Sequence, residues 1–533
     1  MPKLRISIAD YAKRPGGAWA TVETMMKAAI KSIGLTLLVG WSGAVNLLLA
    51  EDAKSVSQYG ITWTFDKAYP VGKFITGDYW VVGPVQVVSV DPAPEPGRNG
   101  SEINPKAGPP PGWKQGYDDR GHPSFATTYD ETKRVIYPLE LQPGQSLVST
   151  ASLANIGDKT DDTIDGYARG PLRTAAVLTC LGEVPPADAF RPAFVGEEKK
   201  IWTLSDVKRD LLPRLPPPPG ARPAGMKEVV QAQWEKAPVD MRIFNSLVLF
   251  PDVATQERYL ERIWLDYVGS APSGQLHPIE NMPSYGREIT NLISTVGLML
   301  LLDDPQGENE NLLRLYIQKG IDYWGVAQSN PGTWIADGGI SSGRKWPVIF
   351  AGLMLGEPEM ANVKATSAED EQTYYGQGYS GAKTLWKIHP RAPIQHEELP
   401  PERWKDDPPF KGINNGWRSE AYRGLNGPTW TGQALAARLM GAKPFWNHDA
   451  FFDYVDRWVQ EAPEGMLVQP ENATTAEPLD PAALQNLVRR EYQPFPSDFV
   501  RLMWETYRAD ADRIGERTSK KLSVKPAAPA AEK

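Results

Sequence analysis

Cysteine is almost absent: Cys180 stands alone in 533 residues. An internal disulfide framework is therefore excluded. Histidine is scarce as well, with five residues scattered singly, and none has the spacing of a zinc ligand set. Basic residues are outnumbered, 57 Lys and Arg against 65 Asp and Glu, and a net charge of −8 argues against a broad nucleic-acid surface. An acidic ligand stays compatible, because a few local arginines outweigh a distant negative surface. Long apolar runs are missing after residue 50. The one that exists follows Met25, in MMKAAIKSIGLTLLVGWSGAVNLLLA, where two lysines precede an apolar stretch from Ile33 to Ala50. That is the pattern of an export signal whose translation starts at Met25 or Met26. Residues 1–50 are accordingly read as a signal peptide or N-terminal extension, and the mature chain as periplasmic or extracellular. Leu48 is larger than the small residue preferred before a cleavage point at Ala50. An uncleaved membrane anchor is the alternative, and only then would the chain touch a membrane.

What the chain has in abundance is rings and turn formers: 18 Trp, 20 Tyr, 49 Pro and 47 Gly. The length predicts two domains. Residues 55–211 read as strands, in ITWTF (61–65), KFITGDYWVVGPVQVVSV (73–90), QSLVSTASL (145–153) and LRTAAVLTCL (172–181), separated by Gly, Asp and Pro clusters. They predict a β-sandwich-like domain. LPRLPPPPGARPAG (212–225) is a stiff, proline-rich connector. Beyond it the apolar period changes from two to nearly four. In REITNLISTVGLMLLLD the residues Ile289, Leu292, Ile293, Val296, Met299 and Leu300 form one helical stripe. Helix pairs joined by long loops over 226–516 predict an all-α (α/α) toroid, with a compact helical bundle as the alternative. The tail, 517–533, has the composition of a disordered segment. The expected fold class is thus multidomain α+β, a β-sandwich followed by an (α/α) toroid.

Three polar stretches sit at the ends of helical segments, where a toroid would gather its loops, so the first and third are expected to face one cleft. GQLHPIENMPSYGRE carries His277, Asn281, Tyr285 and Arg287. WIADGGISSGRKWP carries Asp337, Arg344 and Lys345. GINNGWRSEAYRGLNGPTW carries Asn415, Trp417, Arg418, Tyr422, Arg423 and Trp430. Asn, Arg and His can neutralise a carboxylate, and a tyrosine beside an arginine has its phenolate favoured. Together they could remove the C5 proton of a uronic acid and protonate the departing glycosidic oxygen, which is β-elimination. Tyr422, immediately before a helix expected to open at Pro428, is the expected proton-transfer residue, with Arg418 or Arg423 beside it and Asn281 on the substrate carboxylate. Tyr285, next to Arg287, is its rival, and His277, His389 and His396 come after. Arg344, Asn415, Trp417, Arg418, Arg423 and Trp430 are expected to line the substrate. Each has a plainer role open to it. Tyr285 and Arg287 can orient the helix after Pro283, Arg344 and Lys345 can be structural, and Trp417 and Trp430 can be core. GGISSGRK lacks the spacing of a phosphate-binding loop. His448 reads as the start of a helix. Asp118 and Asp119 read as a solvated acidic turn rather than a calcium site. No cofactor and no metal are expected.

HPIENMPSYGRE, GGISSGRKWPVIFAGLML and ALAARLMGAKPFWNHDAFFDYVDRW resemble segments of exported bacterial proteins. The helical halves of those proteins resemble (α/α)-toroid polysaccharide lyases, the class that includes alginate and glucuronan lyases. The resemblance spans Asp252 to Arg513. It implies a lyase acting on an acidic, uronate-containing polysaccharide, with an Asn or Arg as carboxylate neutraliser and a Tyr, or a His–Tyr pair, as base and acid. Asn281 and Tyr422 match those roles by type and setting. The alternatives are a toroid glycoside hydrolase, for which Asp337, Glu371 and Glu420 supply carboxylates, and a non-catalytic glycan-binding protein of the cell envelope.

Overall fold

The computed structural model describes residues 50–108, 114–120, 128–164, 170–219, 252–267, 276–332, 334–336, 338–390, 396–398, 400, 418–468 and 488–527. The first strands are β1 (Glu51–Gln58), β2 (Ile61–Lys73), β3 (Tyr79–Val82) and β4 (Val85–Asp91). They are followed by β5 (Ser101–Ile103), β6 (Leu139–Leu141), β7 (Gln145–Ser152) and β8 (Leu172–Leu181). These eight form one sheet in the order β5-β7-β8-β3-β2-β4-β6, with β1 paired to β2. All pairs are antiparallel except β3 with β8.

The expected β-sandwich is therefore corrected: the strands make a single mixed sheet curled into half a barrel. Strand β8 shows why the pattern misled. Ala176, Leu178 and Cys180 point into the curl, beside Trp63, Val81 and Leu147. Ala175 and Val177 point the other way, into the core that the helices share. A strand covered on both faces reads as a continuous apolar run, and the run does not say whether the cover is a second sheet or a layer of helices. Here one face is covered by the curl itself and the other by helices. Inside the curl a polar chain is fully paired: Trp63 Nε1 donates to Ser149 Oγ at 2.9 Å, Ser101 Oγ to Ser149 Oγ at 2.8 Å, and Tyr137 Oη to Ser101 Oγ at 3.0 Å.

The described helices after the connector are α1 (Val253–Leu260), α2 (Gly286–Met299), α3 (Glu310–Ser329), α4 (Lys345–Leu355), α5 (Pro358–Ala361) and α6 (Ala368–Gln372). After these come α7 (Arg418–Leu439), α8 (Lys443–Trp446), α9 (Asp449–Glu461), α10 (Asp498–Tyr507) and α11 (Ala511–Ser519). Two small antiparallel hairpins interrupt them, β9 (Thr373–Tyr375) with β10 (Thr384–Trp386), and β11 (Met466–Val468) with β12 (Val488–Arg490). The toroid expectation is overturned, because the helices do not form rings of equivalent pairs. Their lengths run from 4 to 22 residues. All 11 residues of α4 are buried, including Lys345, so this helix is enclosed on every side. Helical periodicity reports a buried face; it is silent on whether the helices close into a ring.

Sheet and helices are joined by a buried ionic network. Arg191, 1% exposed, donates from Nε to Asp78 Oδ2 at 2.6 Å and from Nη2 to Asp322 Oδ2 at 2.8 Å, linking the residue before β3 to α3. Gln318 completes it, exchanging hydrogen bonds with the Arg191 backbone at 3.0 and 2.9 Å. The connector is docked too: Leu215 N–H donates to Leu301 O at 2.8 Å, and Asp303 N–H donates to Leu215 O at 2.7 Å.

Glu102 at the sheet edge gives a pH signature. Burial pushes its carboxyl from 4.5 up to about 7, against the opposing hydrogen bond from Gly116 N–H. A raised folded-state value means that its contribution is complete below pH 4.5 and is lost as pH rises through 7. Glu102→Gln is expected to raise stability by about 1–3 kcal/mol at pH 8 and to flatten the fall between those two values. Urea midpoints across that pH range check this; an unchanged slope would count against it.

Candidate functional site

The second polar stretch is the hub. Gly338 has φ +61°, a left-handed backbone favouring glycine, and a Cβ there would lie 2.7 Å from Cε1 of Tyr422. A Cβ on Gly339 would lie 2.6 Å from Asn426 Oδ1 and 3.5 Å from Cε1 of Tyr285. Two glycines thus let the chain pass between tyrosines that are 137 positions apart in sequence. The Gly338 carbonyl is fixed by Gln372 Nε2 at 2.7 Å and Asn426 Nδ2 at 2.9 Å, while Asn426 also donates to Gln372 Oε1 at 3.1 Å. The next turn is held as firmly. Gly343 N–H donates to Glu369 Oε1 at 2.7 Å, as does Gln433 Nε2 at 2.8 Å. Burial raises the Glu369 carboxyl above its ordinary value.

Tyr285 is the N-cap residue of α2 by its backbone, but its side chain caps nothing and faces this loop. Burial drives its phenol well above the ordinary value and the neighbouring Tyr422 adds to that; a Gly339 backbone hydrogen bond and Arg287 oppose it. The sign is opposite to the expected one. Arg287, 6.0 Å from the centre of the Tyr285 ring, does not overcome desolvation, and the phenol stays protonated. Arg287 also pairs with Glu288.

Tyr422 is half-buried on α7. The expected start of that helix at Pro428 is corrected: α7 begins at Arg418 and Pro428 lies inside it. Side-chain hydroxyls take up nearby carbonyls, Thr429 Oγ1 bonding Asn426 O at 2.8 Å and Thr431 Oγ1 bonding Pro428 O at 2.7 Å. Packing of α7 against α2 outweighs the proline.

Other candidates are structural in placement. His277 is buried, with Nε2 on the Met282 carbonyl. Asn281 is buried, its amide on the carbonyls of Arg262 and Ile263 at 3.3 and 3.4 Å. Arg344 makes a two-pronged pair with Asp266 at 2.8 and 3.0 Å, and Tyr323 Oη reaches the same carboxylate at 2.6 Å. Lys345 reaches Asp370 at 2.6 Å. Trp430 is fully buried, with Nε1 on Ser342 Oγ at 3.1 Å and its ring against Phe451 and Tyr454, so it presents no platform to a ligand. Arg423 is buried and paired with Glu397, which Arg457 also reaches at 2.7 Å. Burial alone would raise the Glu397 carboxyl, but these two guanidinium groups hold it below its ordinary value. Glu371 accepts the Ala336 N–H at 2.6 Å, His389 is buried, and His448 is the N-cap residue of α9. Asp118 pairs with Arg120, and no metal-binding group of acidic, His or Cys side chains occurs among the described residues. Asp337, Asn415 and Trp417, and the side chains of Arg418, Glu420 and His396, lie outside the described residues.

Sequence reasoning missed Gln372, Asn426 and the Gly338–Gly339 pair. The paired glycines and the Asn-Gly-Pro at 426–428 were the available signals. No family model, no curated protein and no solved structure matches the chain.

Proposed function

We propose that the protein is a lyase that cleaves an acidic, uronate-containing polysaccharide by β-elimination, with Tyr422 and Tyr285 as the proton-transfer pair. The observation that carries this reading is the meeting of the two phenols over Gly338 and Gly339, beside Arg287. Two proton-transfer groups side by side suit a reaction that takes one proton and returns one to the same substrate.

Tyr422 removes the C5 proton of the uronate. The C4–C5 double bond forms as the C4–O bond breaks, and Tyr285, kept protonated by burial, gives its proton to the departing oxygen. Arg287 offers positive charge to the substrate carboxylate, stabilising the carbanion-like transition state. Asn281, expected in that role, spends its amide on two backbone carbonyls. The apolar run after Met25 supports action outside the cytoplasm, where such polymers occur. Incubation with a panel of polyuronates is expected to raise absorbance at about 235 nm as unsaturated ends accumulate. New reducing ends without that absorbance would replace elimination by hydrolysis, and no new ends would leave a binding protein.

A further inference from the structure

We propose that Gln372 and Asn426 are positioning residues for Tyr285: together they clamp the carbonyl of the Gly338–Gly339 peptide, so that the N–H of the same peptide is held toward the phenol oxygen. This rests on the reading of Tyr285 as the acid of the elimination, and it adds the group that meets the charge left behind.

A peptide unit is planar and trans, so fixing its C=O fixes the opposite direction of its N–H. The Gly338 carbonyl takes two side-chain donors, Gln372 Nε2 at 2.7 Å and Asn426 Nδ2 at 2.9 Å. The two amides come from different helices, α6 and α7, and Asn426 Nδ2 also donates to Gln372 Oε1 at 3.1 Å. Asn426 cannot turn over, because its oxygen would then face two acceptor oxygens. It is fully buried and its Oδ1 has no partner, an unmet acceptor that an apolar residue of the same size would not leave behind. The same two helices fix the other end of the loop. Glu369 of α6 accepts Gly343 N–H at 2.7 Å and is itself held by Gln433 of α7 at 2.8 Å.

The N–H of the clamped peptide belongs to Gly339. Its backbone hydrogen bond to Tyr285 favours the phenolate, against the burial that keeps the proton on. Two donors on a carbonyl draw density from the amide nitrogen and make its N–H a stronger donor. When Tyr285 gives its proton to the departing oxygen, the charge on Oη forms in a buried setting, and an N–H already aimed at it needs no rearrangement. Arg287 is the other positive group there, but it stands 6.0 Å from the ring centre and is paired with Glu288.

The test combines a spectroscopic and a kinetic reading on the full chain. With isotope-labelled glycine nitrogen, the Gly339 amide proton is expected to shift upfield in Tyr285→Phe, which keeps the ring and removes only the oxygen. It should also shift in Asn426→Leu, which frees the peptide. On a polyuronate, Asn426→Leu is expected to lower kcat about ten- to a hundredfold with KM nearly kept. An activated leaving group should return much of that loss, as for an impaired acid, and Asn426→Leu should add little to the loss in Tyr285→Phe. Gln372→Met, which leaves the Asn426 bond to the carbonyl in place, should give the same pattern at smaller size and serves if Asn426→Leu does not fold. A Gly339 amide unmoved by Tyr285→Phe overturns the proposal, as does a kcat loss of equal size on both leaving groups. If the wild type releases no unsaturated product while the amide shifts as expected, the lyase reading falls and the hold on Tyr285 stands.

Discussion

Tyr422→Phe is expected to lower turnover on a polyuronate by about 10²-fold or more, the usual cost of losing a positioned acid or base. Its ring packs against Gly338 and would remain, so the fold should be little disturbed and substrate affinity nearly kept. Tyr285→Phe tests the other half of the reaction. It removes a phenol that burial keeps protonated, so its loss should be largest on substrates with poor leaving groups. An activated leaving group should restore much of the rate to Tyr285→Phe and none to Tyr422→Phe. Rescue of Tyr422→Phe alone would reverse the two roles, and full activity in both variants would end the tyrosine mechanism.

Arg191→Met should cost about 3–5 kcal/mol of stability, because it leaves Asp78 and Asp322 buried without their shared counter-charge. The loss has a distinctive rescue. Adding Asp78→Asn and Asp322→Asn removes the stranded charges and should recover much of it, whereas a simple packing defect would deepen with each change. Urea midpoints of the single and triple variants separate the two accounts.

Local pattern carried the elements well and their assembly poorly. The apolar run of β8 marked a strand, yet the parallel pairing with β3 and the curl depend on partners far away in sequence. The stripe in α2 marked a helix with a buried face, but not that α4 would be enclosed on every side. Pro428 looked like a helix start because propensity is local; long-range packing put it inside α7. Tyr285 and Tyr422 were legible as candidates from their polar, glycine-flanked settings. Their convergence was expected from loops gathered by a toroid; the left-handed turn at Gly338 between them was not. The arginines misled for a physical reason. Arg344 and Arg423 look like ligands for an acidic substrate, but each meets a buried carboxylate of the protein itself, Asp266 and Glu397. One sequence cannot tell an internal counter-ion from an external one.

The docking of Leu215 against Leu301 and Asp303 sets a limit on motion. A free proline-rich tether would let the strand half and the helical half swing about it, opening and closing on a polymer like a jaw. Two backbone hydrogen bonds and a core continuous from Val177 to Val296 remove that freedom at this end of the tether. On the proposed function, a polymer would then meet a surface whose two halves move together.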